Sequence, residues 1–252
     1  MNLEDYEKLN PRCVVRCGDI EVIYATPTLA TKWRVDTLFE KEPVTLDWIA
    51  SFAPGDIMID VGANVGMYTI WAARTRGARV YAFEPEGLNF ALLNRNIVAN
   101  GLETQVMAYC AAISDRSGFG ELHLSQFMAG GSCHSLDEKL DPFHRPAIPV
   151  FTQGSVSATL DELVRTGRVP PPQYIKIDVD GFEPKVILGA ADTIRAISVR
   201  SLLIEVNQNL PDHMSMVREL NALGFRHDPA QVSRAERKSG PFKGCAEYVF
   251  KR

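Results

Sequence analysis

The sequence predicts an α/β fold in which helices cover both faces of a mostly parallel sheet. Short apolar runs typical of buried strands occur at residues 57–60, 79–84, 105–114, 174–179 and 201–206. Segments with helical periodicity lie between them, and this alternation favours parallel strands joined by right-handed crossovers. With 252 residues and 46% hydrophobic side chains, the chain is long enough to bury such a sheet on both faces.

The first half of the domain alternates regularly. Its predicted elements are a helix at 42–52, a strand at 57–60, a helix at 66–76, a strand at 79–84, a helix at 88–100 and a strand at 105–114. Each helix stops at residues that end helices, namely Pro54-Gly55, Gly77 and Asn100-Gly101. The strand at 57–60 is apolar up to its last residue, as a strand buried on both faces should be.

The second half continues the alternation. Its predicted elements are a helix opened by the capping box Thr159–Glu162, a strand at 174–179, a helix from Pro184, a strand at 201–206, a helix capped by Asp212 and a strand at 246–250. Between 224–228 and 246–250 only a loop is expected, because Ser239-Gly240-Pro241 interrupts any crossover helix. These two segments are therefore predicted to pair antiparallel.

The alternation of strands and helices also indicates how the chain is divided into segments. It begins near residue 44 and breaks between about 115 and 157, where the sequence is rich in Gly, Ser and His. A long irregular stretch inside a compact domain is typical of an active-site cover. The sequence predicts an N-terminal extension with short strands at 1–43. A single domain at 44–252 follows, with an inserted substrate-side segment at about 115–157.

Composition limits the possible functions. The formal net charge of −4 gives no indication of a general nucleic-acid binder, and no apolar run approaches the length of a membrane span. The first twelve residues are polar, so we expect no secretory signal. Five cysteines without a CxxC pair indicate reduced thiols in a cytoplasmic protein. The oligomeric state is left open.

A glycine-rich turn follows the first strand of the sheet. The stretch IMIDVGANVGMYT, residues 57–69, takes that strand directly into the turn. Ligands of open α/β sheets bind beyond the carboxyl ends of strands, where this turn lies. Gly62 and Gly66 allow a tight bend and the close approach of a ligand. The turn therefore predicts a site for a phosphate, a dinucleotide or S-adenosylmethionine.

The residues of the turn disfavour the first two ligands. A phosphate-binding P-loop needs Gly-Lys-Ser/Thr, whereas Met67 follows Gly66. The dinucleotide pattern G-x-G-x-x-G has Asn64 in place of its second glycine, and Asp60 would set a carboxylate beside the diphosphate. An acidic strand end suits the ammonium of S-adenosylmethionine, and a helix N-terminus suits its carboxylate. An NAD(P)-linked oxidoreductase and a non-catalytic scaffold remain the alternatives.

Glu84 indicates an adenosine. It closes the second strand, where its carboxylate can accept both ribose hydroxyls in hydrogen bonds worth about 1.5–3 kcal/mol each. NAD would use the same contact, so Glu84 does not distinguish the two cofactors. Ala111, Ala112 and Ile113 end the third predicted strand as small apolar residues, which suit an adenine edge and simple core packing equally well.

Four motifs together resemble a known family. They are D-x-G-A-N-x-G-x-Y-T at 60–69, A-F-E-P at 82–85, A-I-S-D at 112–115 and K-I-D-V-D-G-F-E-P at 176–184. In this order they resemble the FkbM family of class I S-adenosylmethionine-dependent methyltransferases, over roughly residues 40–206. The resemblance implies a Rossmann-like sheet of seven strands with the last antiparallel. It also implies O-methylation of a hydroxyl on a saccharide or a small polyketide-type metabolite.

The resemblance also implies roles for individual residues. Those implied to bind the cofactor are Asp60, Gly62, Ala63, Asn64 and Gly66 at the methionine part, Glu84 at the ribose, and Ala112, Ile113 and Ser114 at the adenine. Asp178 is implied to lie nearest the transferred methyl group.

Transfer of a methyl group to an alcohol also requires removal of the hydroxyl proton. Asp178 ends a strand beside the cofactor strand, so it is predicted to orient the hydroxyl or accept its proton. Asp180 is interpreted as part of the Asp-Gly turn that follows. His134, in the inserted segment, is the second candidate base, with a solvated loop histidine as the alternative.

A divalent metal is a further possibility at the same strand ends. Glu205 and Asn207 end the strand at 201–206 and, with Asp178, offer oxygen ligands for an octahedral Mg²⁺ that would lower the pKa of the acceptor hydroxyl. The alternative is that Glu205 only makes hydrogen bonds at the end of its strand. The sequence identifies neither the acceptor nor its methylated position.

Overall fold

The computed structural model describes residues 1–252, apart from the side chains of residues 6 and 7. The helices are α1 (Leu3–Lys8), α2 (Leu29–Asp36), α3 (Leu38–Lys41), α4 (Pro43–Ala50), α5 (Met67–Arg76), α6 (Gly87–Ala99), α7 (Leu160–Arg165), α8 (Glu183–Leu188), α9 (Ala191–Arg195), α10 (Pro211–Ala222) and α11 (Pro229–Ala235). The strands are β1 (Arg12–Cys17), β2 (Ile20–Ala25), β3 (Ile57–Val61), β4 (Arg79–Phe83), β5 (Val106–Tyr109), β6 (Ala112–Ile113), β7 (Gly118–Leu124), β8 (Ser135–Leu136), β9 (Phe151–Ala158), β10 (Tyr174–Ile177), β11 (Ser201–Asn207) and β12 (Cys245–Lys251).

A central sheet organises the fold. Its strand order is β12-β11-β10-β3-β4-β5, with β12 antiparallel to β11 and the other neighbours parallel. Side chains alternate along each strand, so Met58 packs into one hydrophobic core and Ile59 into the other. Helices α5 and α6 cover the first core, and α8 and α10 the second. The predicted α/β fold, with helices on both faces and an antiparallel last strand, is confirmed.

The sheet has six strands among the described residues, one fewer than the resemblance implies. The predicted antiparallel pair of 224–228 with 246–250 is reduced to a single bridge between Arg226 and Lys251. The expectation that no helix fits between them was wrong. Asp228 caps α11 and Pro229 occupies its first turn, so the chain leaves the strand direction after one bridge. The helix ends at Ala235, before Ser239-Gly240-Pro241.

The third predicted strand, 105–114, divides into two. Val106–Tyr109 belongs to the central sheet, whereas Ala112–Ile113 pairs with β9 in a second sheet of order β6-β9-β7-β8. The segment predicted as an insertion supplies most of that second sheet. A smaller difference concerns α10, which begins at Pro211, so that Asp212 lies in its first turn rather than at its cap.

The N-terminal residues pack onto the same domain. Strands β1 and β2 form a hairpin, and the side chains of Asn96 on α6 and of Asn100 just after it accept hydrogen bonds from the backbone of β2. We keep as a proposal the division into an extension at 1–43 and a domain at 44–252 with an insertion at about 115–157. Among the described residues, no helix has the length and apolar character required to cross a bilayer.

Candidate active site

Packing against neighbouring elements fixes the turn after β3. Gly62 has a φ of +79°, and a Cβ there would lie 1.9 Å from the backbone oxygen of Asp178. Gly66 has a φ of +84°, and its Cβ would lie 2.4 Å from Cδ1 of Leu93. Asn64 also adopts a left-handed conformation, with φ of 52°. Both glycines are therefore required by the protein itself, and Gly62 brings the end of β3 against Asp178.

Asp60 borders a small cavity of about 40 Å³ beside this turn. Its side chain is buried, and its Oδ2 accepts a hydrogen bond of 2.5 Å from Oγ1 of Thr69. Its Oδ1 has no hydrogen-bond partner among the described residues, although Nζ of Lys176 lies 4.0 Å away. Burial raises the pKa of Asp60 despite the charge of Lys176. A buried oxygen without a partner beside a cavity suits a cationic ligand group.

Lys176 lies between the carboxylates of two neighbouring strands. Its Nζ is 3.0 Å from Oδ2 of Asp178, and its side chain is 2% exposed. Burial opposes the charge on Lys176, but Asp178 and Asp60 outweigh it and raise the pKa of the ammonium. Burial likewise opposes ionisation of Asp178, but Lys176 and Lys41 lower the pKa of that carboxyl below its usual range. Asp178 is therefore an anion at neutral pH, suited to accept a hydrogen bond.

The N-terminal segment forms part of the wall of this cavity. Arg34 on α2, Lys41 on α3 and Glu42 between α3 and α4 all line it. Glu42 is 2% exposed, and its Oε1 lies 2.5 Å from Nζ of Lys41. The cavity therefore depends on residues that precede the first strand of the central sheet.

Glu84 is held at the end of β4 by two backbone N–H groups. Its Oε2 accepts from Asn64 at 2.7 Å and its Oε1 from Glu86 at 2.9 Å. Burial raises the pKa of Glu84 to about 7, although both N–H groups favour its ionised form. Each carboxylate oxygen can accept two hydrogen bonds, so capacity remains for a ligand diol.

A second small pocket, of about 70 Å³, extends from the turn toward the other predicted cofactor residues. It is bordered by Val61, Gly62, Phe83, Pro85, Ala111, Ala112, Ile113, Ser114, Leu122, His134, Leu136, Val179, Phe182 and Lys185. Gly62 borders this pocket and the Asp60 cavity alike. The structure therefore brings together the residues implied for the methionine part and for the adenine.

His134 belongs to this second pocket, whereas Asp178 borders the Asp60 cavity. The Nδ1 of His134 accepts a hydrogen bond of 3.3 Å from the backbone N–H of Ser125. The Nε2 of His134 is buried without a partner among the described residues. Burial and the charge of Arg34 lower the pKa of His134 to about 4. The structure thus does not bring the two predicted catalytic residues into one pocket.

Three carboxylates meet at the ends of β10 and β11. Ligand oxygens of Asp178, Glu183 and Glu205 lie within 4.8 Å of one another. Two of these residues were predicted as metal ligands. The third predicted ligand, Asn207, uses its Oδ1 to accept hydrogen bonds from Asn209.

The residues around these carboxylates do not fit a Mg²⁺ ion. Lys176 pairs with Asp178 at 3.0 Å, and Arg237 pairs with Glu205 at 2.6 Å. Glu183 is fully buried, whereas bound Mg²⁺ usually retains several waters. Two cations thus already neutralise the carboxylates that would hold the metal.

A wider cleft, of about 350 Å³, opens beyond Asp178. Its residues are Trp33, Arg34, Lys41, Gly62, Asn64, Ser132, Asp178, Asp180, Glu205, Arg237 and Phe242. Asp180 takes a φ of 55°, and its Oδ2 accepts from the backbone N–H of Cys133 at 2.7 Å, so it ties the turn after β10 to the inserted segment. The cleft adjoins the Asp60 cavity and is lined by charged and aromatic groups, as a site for a polar second substrate would be.

Comparison with known proteins identifies the family of the chain. Residues 60–227, more than half of the chain, match the family model described as the methyltransferase FkbM domain. The chain belongs to the FkbM methyltransferase family. The resemblance predicted from the four motifs is thereby confirmed, and the match extends beyond residue 206, where those motifs become unclear.

Two curated FkbM-type relatives are similar in sequence. The hexuronic acid methyltransferase AglP of Haloferax volcanii is 28% identical over 178 residues, which cover 69% of this chain and 66% of AglP. The 31-O-demethyl-FK506 methyltransferase FkbM of Streptomyces tacrolimicus is 41% identical over 66 residues, covering 26% of this chain and 25% of that protein. The chain thus aligns with less than two thirds of the length of either relative.

Solved structures agree on the fold of this FkbM family member. The magnesium protoporphyrin IX methyltransferase of Synechocystis PCC 6803, solved with bound SAM, superposes with a TM-score of 0.50 at 12% identity. The superposition covers 90% of this chain and 86% of that one. At this identity the likeness shows the class I methyltransferase fold alone.

Five charged residues that line the cavity and the cleft were not predicted from the sequence. They are Arg34, Lys41, Glu42, Lys176 and Arg237. Only Lys176 left a usable signal, since a lysine inside the otherwise apolar strand YIKI is almost never fully buried without a charged partner. Arg34 and Glu42 precede the family-matched region, and Arg237 follows it.

Proposed function

We propose that this FkbM family member transfers a methyl group from S-adenosylmethionine to a hydroxyl of a saccharide or small hydroxylated metabolite. The observation that carries the proposal is the pair of buried carboxylates, Asp60 and Glu84, at the ends of the neighbouring parallel strands β3 and β4. One leaves an oxygen free beside a cavity and the other can accept a diol. Such a pair suits a ligand with an ammonium and a ribose, and it repels a diphosphate.

We assign the cofactor residues on this basis. In this proposal Asp60, Gly62, Ala63, Asn64 and Gly66 surround the methionine part, Glu84 binds the ribose, and Ala112, Ile113, Ser114 and His134 border the adenine. His134 joins the cofactor set because it lines the same pocket as the other three adenine-side residues. Glu42 also belongs to the methionine side, where it lines the cavity of Asp60.

The chemistry requires alignment and removal of one proton. When bound, S-adenosylmethionine supplies an electrophilic methyl group on a sulfonium. Asp178, at the border of the inner cavity and the outer cleft, accepts a hydrogen bond from the acceptor hydroxyl and holds its oxygen in line. As the bond from that oxygen to the methyl carbon forms and the carbon–sulfur bond breaks, the hydroxyl proton passes to the Asp178 carboxylate and then to water. No step is assigned to a metal ion.

The net charge and the free cysteines indicate the compartment in which the enzyme acts and the class of its acceptor. The net charge of −4 and the five free cysteines support action in the cytoplasm on a small-molecule or saccharide acceptor, and they give no support to nucleic acid as the acceptor.

A titration of the purified protein tests the cofactor proposal. Calorimetry with S-adenosylhomocysteine, the demethylated product, is expected to show binding at one site, whereas NADH at the same concentration should show none. Binding of NADH alone would instead support an oxidoreductase. A transfer assay with methyl-labelled S-adenosylmethionine and a panel of sugars and hydroxylated metabolites then identifies the acceptor.

Changing Glu84 to glutamine is expected to weaken binding of S-adenosylhomocysteine by about 10- to 100-fold, because the charged acceptor of the ribose hydroxyls is lost.

Binding of S-adenosylhomocysteine to the native protein is also expected to depend on pH. The diol donates to the ionised carboxylate, and the pKa of Glu84 in the free protein is about 7. Affinity should therefore fall below pH 7, by up to about tenfold per pH unit.

Calorimetry between pH 5.5 and about 8 measures both effects. Glu121→Gln, on an exposed part of β7, is the control for loss of one surface charge and should bind like the native protein. Glu84→Gln should lose the pH dependence as well as affinity. A variant that keeps native affinity, or that keeps the same pH profile, would show that Glu84 does not bind the ribose.

A further inference from the structure

The outer cleft contains one basic residue that makes no ion pair with a carboxylate of the described residues. Lys41 pairs with Glu42, and Arg237 pairs with both Glu205 and Glu247. Arg34, the remaining basic residue of this cleft, has no carboxylate within 4 Å among the residues described. Arg34 is therefore the basic residue of this cleft whose donors are not committed to a carboxylate, although its charge also acts on Asp180 in the same cleft.

Arg34 is also held in place. Its Nε and Nη2 donate to the backbone oxygen of Gly130 at 3.1 and 2.9 Å, which fixes the plane of the guanidinium. A guanidinium has five N–H donors, so three remain after these two bonds. An oriented guanidinium with free donors is the group that best matches the two oxygens of a carboxylate.

The residue before Arg34 offers an apolar surface. Trp33 is 51% exposed and borders the same cleft, and Phe242 borders it as well. Aromatic rings that are apolar on their faces and open to solvent suit the C–H face of a sugar ring. The cleft thus combines a carboxylate-binding group, aromatic surface and the anion of Asp178.

We propose that Arg34 binds the carboxylate of an acidic saccharide acceptor, such as a uronic acid residue, while Trp33 packs on its ring. This inference rests on the proposed function, since it takes the cleft beyond Asp178 to be the acceptor site. It goes further by naming the class of acceptor and the residue that selects it. Arg34 also lines the inner cavity, so the methionine carboxylate of the cofactor is the competing ligand that the experiment must separate.

Binding measurements on the protein saturated with S-adenosylhomocysteine test this inference. The two probes are methyl glucuronide, which carries a carboxylate, and methyl glucoside, which does not. The native complex is expected to bind the glucuronide about tenfold more tightly or better. Arg34→Gln should remove that preference by weakening the glucuronide about 10- to 100-fold, with the glucoside and S-adenosylhomocysteine nearly unchanged.

Two further variants keep the test decisive. Arg34→Lys retains the positive charge but loses the paired N–H donors of the guanidinium, so it should keep part of the preference for the glucuronide over the glucoside. The same variant shows whether loss of the hydrogen bonds to Gly130 alone unfolds the protein. Arg16→Gln, on the exposed hairpin, is the control for loss of one arginine and should behave as native. Thermal melting of each variant establishes that the fold is intact.

The outcomes separate the two levels of the proposal. If the native protein does not bind S-adenosylhomocysteine, the proposed function fails and this inference with it. If it does bind, but the complex binds both saccharides equally or neither, the acidic-acceptor inference alone is overturned. If Arg34→Gln loses affinity for S-adenosylhomocysteine and keeps the preference for glucuronide, Arg34 serves the cofactor and the inference is likewise overturned.

Discussion

Replacing Asp178 with asparagine is expected to lower kcat by about 10²- to 10⁴-fold, the range for loss of a positioned acid–base group. Asp178 borders both the Asp60 cavity and the outer cleft, so it lies where the two substrates would meet. Lys176 keeps it ionised. An asparagine retains the shape but not the charge, so it can neither attract the hydroxyl proton nor hold it.

A comparison of rates with cofactor binding tests this role. Labelled-methyl transfer gives kcat. The Kd for S-adenosylhomocysteine, measured by calorimetry, should change by less than about threefold if Asp178 acts on the acceptor. Asp141→Asn is the matched control, because Asp141 is also ion-paired and 25% exposed but lies on the inserted segment. A kcat within about threefold of native in Asp178→Asn would show that this carboxylate does not contact the acceptor.

The parts of the fold that sequence could predict are those set by local patterns. The strand 57–60, the glycines at 62 and 66, and the helix ending at Gly77 each carry their own signal in a few residues. Their order then determines the parallel sheet. The sequence predicts only part of the reason for a glycine at position 62, namely the tight bend and the approach of a ligand. A Cβ there would strike the backbone oxygen of Asp178, which is 116 residues away in the chain.

The elements that could not be predicted depend on contacts distant in sequence. Ala112–Ile113 reads as the continuation of one strand, but it pairs with β9 and so joins another sheet. Arg34 lies in a helix of ordinary composition and Glu42 between two helices, and only the folded chain places them at the cavity. The region 224–228 failed for another reason. Asp228 and Pro229 are local signals for a helix start, but Ser239-Gly240-Pro241, only a few residues later, is an equally local signal for a loop.

Replacing Lys176 with methionine is expected to lower the free energy of unfolding by about 3–5 kcal/mol, the cost of leaving a buried charge unpaired. Its Nζ lies 3.0 Å from the carboxylate of Asp178 and 4.0 Å from that of Asp60. A methionine fills a similar volume but compensates neither anion. Urea unfolding followed by circular dichroism measures the change, with unaltered m-values as evidence of the same two end states.

Lys32→Met is the matched control, since the Lys32–Asp36 pair is 2.6 Å long but about half exposed, and solvent-exposed pairs contribute little to stability. The sign of the pH dependence distinguishes lost charge from lost packing. Without Lys176, the pKa of Asp60 and of Asp178 rises in the folded state, so the stability deficit is full above those pKa values. It should shrink as pH falls through them, because the carboxyls take up protons. A deficit that is independent of pH would mean that Lys176 contributes packing alone.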